Sequence, residues 1–483
     1  MPAGSYTRSR YNVIFGEPGE RYLYNTFTGS LQPLSDECHA VYAARDIYDD
    51  TDDGCMAALA GMGAIVPAGM DERSSLLDIE PDGGDMAGIN HLAIWLLTTQ
   101  RCNYRCFYCY EDRDQAGDIS YTADEWLAFL DRFPSLNQLS VTWFGGEPLL
   151  NFGCLEELAL RTGAYCRERG IFYHHSLITN AVLLTPPVAA RLKELGLSHA
   201  QITLDGPASF HEYYKAGAGT FDKVLANIYQ AATLFPVALR LNTDKNNAPA
   251  MPELIDLLAR RGFDNLTVYF APITCDGKQE DGDAKRWQDA CYTSAEFAGA
   301  QRQLRRHLKE AGCPEPGRMS LGAGRIQYCG AEGSSFFVVG VDGSLAKCPH
   351  LLGRETAGTL RDGIYAEAFR HPWRKAGAPL PHKCLDCLLL PLCQGGCPLR
   401  RDEPGSMGDS CVDARYSLEE DLKHAVVAAR GGTAGIFTTC STEEKVQQLQ
   451  HSARGILANR HQLRQAALRG GGLGMLLAAM GRE

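Results

Sequence analysis

From about His91 to Thr274, short apolar runs alternate with helix-like stretches, and this alternation restricts the fold more than any other feature of the chain. The runs His91–Leu97, Gln138–Phe144, Tyr173–Thr179, Ala200–Leu204, Val237–Asn242 and Leu266–Ala271 have the length and composition of buried strands. Between them, Ala123–Arg132, Leu155–Arg169, Pro187–Leu195, Phe221–Thr233 and Met251–Arg261 carry helical patterns. A parallel crossover needs a dozen or more residues, usually a helix, so six such units in series predict one parallel sheet. Six fall short of the eight that close a full barrel, so the expected fold class is α/β, a partial (β/α)6 TIM-like barrel over residues 86–312. Chemistry in such barrels gathers at the C-terminal ends of the strands.

Directly after the first strand the chain reads Cys102-Asn-Tyr-Arg-Cys106-Phe-Tyr-Cys109. Three soft thiolates in one short loop suit a [4Fe–4S] cluster with one iron open to another ligand. Structural zinc wants four ligands, usually as two pairs, which the triplet lacks. Other polar residues fall at later strand ends. Gly145, Gly146 and Glu147 close the second strand, Thr179 and Asn180 the third, and Thr203 and Asp205 the fourth. Arg240 and Asn242 lie on the fifth. A glycine pair admits close approach to the backbone, and a carboxylate can pair with an ammonium.

A second cysteine set follows the barrel: Cys329, Cys348, Cys384-x2-Cys387-x5-Cys393-x3-Cys397 and Cys411. Paired C-x2-C spacing also suits zinc ribbons, which leaves structural zinc as an alternative for these seven.

On these motifs the chain resembles the radical S-adenosyl-L-methionine (AdoMet) enzymes. The resemblance implies that Cys102, Cys106 and Cys109 hold a cluster whose open iron chelates the methionine end of AdoMet. Reductive cleavage of the sulfonium then releases a 5′-deoxyadenosyl radical that abstracts hydrogen from substrate. It also implies cofactor contacts from Tyr108, Gly145, Gly146, Glu147, Asn180, Thr203, Arg240 and Asn242. Glu147 would receive the methionine amino group, Thr203 would lie near the ribose, and Arg240 would face the carboxylate. One departure is Ala181, which stands where a Thr-Asn-Gly turn would have glycine.

The second set resembles the seven-cysteine SPASM pattern of radical enzymes that modify peptides and proteins, placed here at residues 313–415. Two auxiliary [4Fe–4S] clusters are implied, three clusters in all. Cys384, Cys387, Cys393 and Cys411 would hold one, and Cys329, Cys348 and Cys397 the other. Sulfatase-maturing relatives often have a further cysteine where this chain has Ala323. The fourth ligand of that cluster is therefore either Cys313 or a substrate thiolate on an open iron.

Residues 1–85 read as a separate small module, with strands at Tyr11–Phe15 and Arg21–Asn25 around Gly16-Glu-Pro-Gly19 and a helix from Ser35, and by resemblance as a winged-helix-like one. They resemble the peptide-recognition elements of enzymes that mature ribosomal peptides, where a leader peptide adds a strand to a sheet edge. Residues 416–483 read as a helical extension in which the sequence shows no functional motif. The remaining cysteines, Cys38, Cys55, Cys154, Cys166, Cys275, Cys291 and Cys440, are expected to be small buried hydrophobes or incidental.

A net charge of -11 argues against nucleic acid as the main partner. No apolar run approaches the roughly 20 residues of a membrane span, and the polar start lacks a signal-peptide core. A cytoplasmic setting is expected. The leading expectation is a maturase that crosslinks a ribosomal precursor peptide oxidatively through a thioether or carbon–carbon bond, with electrons from flavodoxin or ferredoxin. The alternatives are an anaerobic sulfatase maturase that makes formylglycine and, from another class, an iron–sulfur electron carrier or redox sensor.

Overall fold

A computed structural model of the chain describes residues 5–44, 46–48, 54–77, 86–111, 117–274, 289–313, 329–369, 380, 382–399, 411 and 414–430. These fall into two compact units. One draws on Met1–Gly83, Gly317–Cys329 and Trp373–Glu483, the other on Gly84–Pro316 and Gly330–Pro372.

The first unit contains strands β1 (Tyr6–Arg8), β2 (Asn12–Phe15), β3 (Tyr22–Asn25), β4 (Leu31–Pro33), β5 (Ile47–Tyr48) and β6 (Ile65–Pro67). They form two antiparallel sheets, ordered β5-β1-β6 and β2-β3-β4. The expected hairpin is β2–β3, with Phe15 opposite Tyr22. Its first turn residue has to be glycine, because Gly16 has φ +90° and a Cβ there would lie 2.4 Å from the Glu20 carbonyl oxygen.

Side chains alternate along β3, and the two faces go to different cores. Leu23 packs with Leu34, just after β4, and with Tyr42, Met56 and Leu59 of the flanking helices. Tyr24 joins Phe15 and Leu31 against Leu389, Leu392, Leu418 and Leu422. The second face is therefore covered by the cysteine-bearing segment and by the helix Ala414–Arg430, which the sequence assigns to other domains. The Thr26 hydroxyl donates to the Leu388 carbonyl, and Arg10 pairs with Asp386 at 2.8 Å.

Cys38 and Cys55 are not incidental small hydrophobes. They form a disulfide that joins the helices Asp36–Ala44 and Gly54–Gly61. Cys291, in the second unit, is also disulfide-bonded, whereas Cys275 and Cys440 lie outside the described residues.

The second unit holds β7 (His91–Thr99), β8 (Gln138–Gly145), β9 (Phe172–Thr179), β10 (His199–Leu204), β11 (Val237–Thr243) and β12 (Leu266–Pro272). Each pairs in parallel with the next, in sequence order, and the bounds agree with the sequence reading to within a residue or two. Helices cover the sheet and supply Trp126, Phe129, Leu155, Val224 and Leu254 to one core with Leu139, Trp143 and Leu239 from the strands. Burial on both faces is why these strands read as continuous apolar runs.

The sheet does not end at β7. Strand β13 (Phe336–Val339) adds in parallel to β7, with Phe336 opposite Ala93, and β14 (Ser344–Ala346), β15 (Gly358–Thr359) and β16 (Gly363–Ile364) continue it antiparallel to ten strands. These short strands are missing from the sequence reading, as is the helix Ala208–Lys215. Among the described residues no helix is long and apolar enough to cross a membrane.

Candidate functional site

The loop holding Cys102, Cys106 and Cys109 leaves the C-terminal end of β7, and all three thiols are half-buried. The end of β8 packs directly on the start of this loop. Gly146 N–H donates to the Thr99 carbonyl at 3.0 Å, and Glu147 N–H to that of Arg101 at 2.8 Å. A Cβ on Gly145 would lie 2.3 Å from Thr99 O, and one on Gly146 would lie 2.4 Å from Arg101 O. The two glycines thus let one backbone lie against another, so the β8 turn holds the cysteine loop in place.

Glu147 is wholly buried. Its Oε1 accepts from Leu149 N–H (3.0 Å) and the Thr179 hydroxyl (2.7 Å), and its Oε2 accepts from Asn180 N–H (2.8 Å). Burial pushes this carboxyl up, and the three donors pull it back. The side chain therefore ties the end of β9 to the end of β8. Asn180 then reaches the cysteine loop, donating to Asn103 Oδ1 at 2.8 Å, with Cys102 Sγ at 4.0 Å. Ala181 adopts φ +62°, the left-handed conformation that a glycine would take without strain.

A second buried network underlies the other end of the loop. The Tyr108 hydroxyl donates to the Asp205 carboxylate, 2.9 and 2.8 Å from its two oxygens, and accepts from Lys215 Nζ at 2.8 Å. Lys215 and Asp205 are themselves 3.4 Å apart, with side chains only 5% and 0% exposed. Burial opposes charge on the lysine, but attraction to Asp205 outweighs it and keeps the ammonium well above its ordinary range. Asn242 also hydrogen-bonds Asp205, and Arg240 Nε donates to Asn242 Oδ1 at 2.8 Å. Thr203 and Arg240 are direct neighbours across β10 and β11. Tyr108, Thr203, Arg240 and Asn242 are thus gathered at one end of the sheet. Lys215 escaped the sequence reading because a lysine eleven residues beyond the end of β10 carries no motif; only a helix over 208–215 would have pointed it back at Asp205.

Tyr110, next to Cys109, stacks on His350 with ring centroids 3.9 Å apart. The segment carrying Cys348 therefore adjoins the Cys102–Cys109 loop within the same unit. Cys329 and Cys397 belong to the other unit. Cys313 is buried in the barrel core, where burial pushes its thiol up to about 11 beside the Val268 backbone.

Within the first unit, Cys384, Cys387, Cys393 and Cys411 line one pocket together with Leu389, Leu390, Gly395 and Arg415. This donor set, four thiols around one space, fits a cubane iron–sulfur cluster. In the barrel unit the three thiols of the 102–109 loop likewise fit three of a cluster's four ligand positions. Burial holds the Cys102 thiol up at about 11, and a bound cation would offset the cost of ionising it. Among the described residues no three His, Cys, Asp or Glu side chains gather as a single metal ion would require. Cluster ligands sit on different irons and are spread accordingly.

Comparison with known proteins agrees with this geometry. Residues 96–258 match the radical SAM superfamily model. Fe-coproporphyrin III synthase of Methanosarcina barkeri is 31% identical over 183 residues, 37% of this chain and 43% of that protein. PqqA peptide cyclase of Rhodopseudomonas palustris is 29% identical over 180 residues, 37% of this chain and 46% of that one. The chain thus spans about half the length of these curated relatives. Among solved structures, anSMEcpe with bound AdoMet and Cp18Cys peptide is similar with a TM-score of 0.54 at 18% identity, over 71% of this chain and 99% of that one. That likeness is one of fold. With the cysteine triplet after β7, the Gly145-Gly146-Glu147 turn after β8 and the matching superfamily model, the barrel of this chain is a radical SAM domain.

Proposed function

We propose that the chain is a radical AdoMet maturase that installs an oxidative crosslink, thioether or carbon–carbon, in a ribosomally made precursor peptide. The observation that carries this reading is the pocket lined by Cys384, Cys387, Cys393 and Cys411, a second cluster position in a chain that also has a radical SAM domain. With its cofactors bound, such a protein has a source of 5′-deoxyadenosyl radical and a separate acceptor for the electron that a substrate radical must lose. Formally, one hydrogen atom leaves the peptide to deoxyadenosine, and one electron and one proton leave as the new bond closes. The peptide therefore loses two hydrogens.

In this reading Cys102, Cys106 and Cys109 hold the radical-generating cluster. Glu147, through Thr179 and Asn180, and Lys215, through Tyr108 and Asp205, keep the loop and strand ends in register around AdoMet. Thr203, Arg240 and Asn242 line the cofactor's side of the strand ends, where the guanidinium is a partner for a carboxylate. The N-terminal sheets offer edge strands to a leader peptide, β5 among them with Ile47 56% exposed, as strand addition requires. Relatives that act on peptides, such as PqqA peptide cyclase, agree with this class of substrate. A reduced flavodoxin or ferredoxin would supply the first electron.

The test is anaerobic reconstitution followed by incubation with AdoMet, reductant and the short peptides encoded beside the gene, read by mass and by aldehyde-reactive hydrazide. Loss of two hydrogens without an aldehyde supports crosslinking. An aldehyde would favour the sulfatase-maturase reading, and an unchanged native precursor alongside AdoMet cleavage would refute peptide crosslinking. Cys102→Ala should abolish AdoMet cleavage while iron in the other clusters remains. If wild-type protein reconstituted with full iron does not cleave AdoMet, the electron-carrier reading takes its place.

A further inference from the structure

The pocket lined by the four cysteines of the first unit contains one charged side chain among its lining residues, Arg415. Its Nη1 donates to Cys411 Sγ at 3.6 Å. Arg415 lies in the first turn of the helix Ala414–Arg430, and that helix is not free to turn. Leu418, Leu422 and Val426, at four-residue spacing, bury one stripe against Tyr24, Leu31, Leu389 and Leu392. The apolar stripe that fastens the helix to the N-terminal sheet thus also fixes the backbone position from which the exposed Arg415 side chain reaches Cys411.

A cubane held by four thiolates carries net negative charge, and reduction adds more. Hydrogen bonds to the ligand sulfurs and neighbouring charge are among the main levers on the reduction potential of such clusters. A cation donating to a ligand sulfur favours the reduced form. We propose that Arg415 sets the reduction potential of the cluster held by Cys384, Cys387, Cys393 and Cys411, making it the better electron acceptor. This rests on the cluster assignment made above. Because the helix is docked on β2–β4, the N-terminal sheet acts as the support of a redox-tuning residue as well as a peptide-docking candidate.

The test compares full-length, anaerobically reconstituted protein with Arg415→Gln and Arg415→Lys. All are made in a Cys102→Ala/Cys106→Ala/Cys109→Ala background to remove the radical-site cluster. Iron content and a reductive titration followed by electron paramagnetic resonance are read, with Cys384→Ala identifying the step that belongs to this cluster. Arg415→Gln should make that step about tenfold harder to reduce, 59 mV for a one-electron couple, and Arg415→Lys should retain most of the wild-type value. Loss of this cluster's iron in Arg415→Gln but not in Arg415→Lys equally supports a role for the charge. Full iron with an unmoved step in Arg415→Gln overturns the proposal, as does an equal shift in both variants. Unchanged iron in Cys384→Ala overturns the cluster assignment, and the proposal with it.

Discussion

Trp143 donates its indole N–H to Nδ1 of His175 across 2.8 Å, which leaves the imidazole proton on Nε2, 3.0 Å from the Leu195 carbonyl oxygen. Both ring nitrogens are committed in the neutral form. Burial brings this histidine from an ordinary 6.5 down to about 4.

Because the folded value lies below the unfolded one, the unfolded chain takes up the proton first as pH falls. His175 therefore holds its full contribution above pH 6.5 and loses it progressively toward pH 4, by about 3 kcal/mol at one unit per 1.36 kcal/mol. His199, also brought down to about 4 by burial, acts in the same direction. Thermal midpoints measured from pH 7 downward should fall steeply over this window. In His175→Gln, whose amide can accept from Trp143 and donate to Leu195, the fall should be shallower.

Replacing Glu147 with Gln should destabilise the barrel by about 2 kcal/mol, the order of one buried unsatisfied donor. The amide keeps an oxygen toward Thr179 and Leu149 but turns an N–H2 toward the backbone N–H of Asn180. Thermal denaturation under anaerobic conditions reads the loss, and a midpoint equal to wild type would mean that the carboxylate does not tie the two strand ends.

Ala181→Gly should stabilise. A non-glycine residue at φ +62° costs roughly 1–2 kcal/mol, and part of that gain is given back by the lost methyl burial and the freer unfolded chain. The expected net effect is a gain of about 0.5–1 kcal/mol, seen as a higher midpoint with unchanged iron content.

Lys215→Met strands the Asp205 carboxylate in the interior and should cost about 3–5 kcal/mol. Adding Asp205→Asn removes the stranded charge, so the double variant should recover about half of the loss or more. Strict additivity of the two substitutions in a double-mutant cycle would show that the pair does not interact.

The six parallel strands were legible because burial on both faces leaves an apolar run that needs no partner to be recognised. His91–Thr99 and its five successors stand out for that reason. Strands β13–β16 were not legible: each is two to four residues long and is a strand only because β7 has an open edge to pair with. The cysteine loop was legible because its spacing is local. What holds the loop was not, since the contact of Gly146 with Arg101 joins two strand ends, and Lys215 meets Tyr108 from 107 residues away.

By itself, then, the sequence determined the cysteine loop and the barrel that supports it, because cysteine spacing and strand periodicity are written in neighbouring residues. Tertiary structure decided the rest. It made Glu147 a tie between strands, paired Cys38 with Cys55, and buried Cys313 in the barrel core. It also set the N-terminal sheet against the helix that carries Arg415 to its pocket. Each of these depends on which distant segment covers an apolar face or neutralises a buried charge, and that choice is made only when the chain closes on itself.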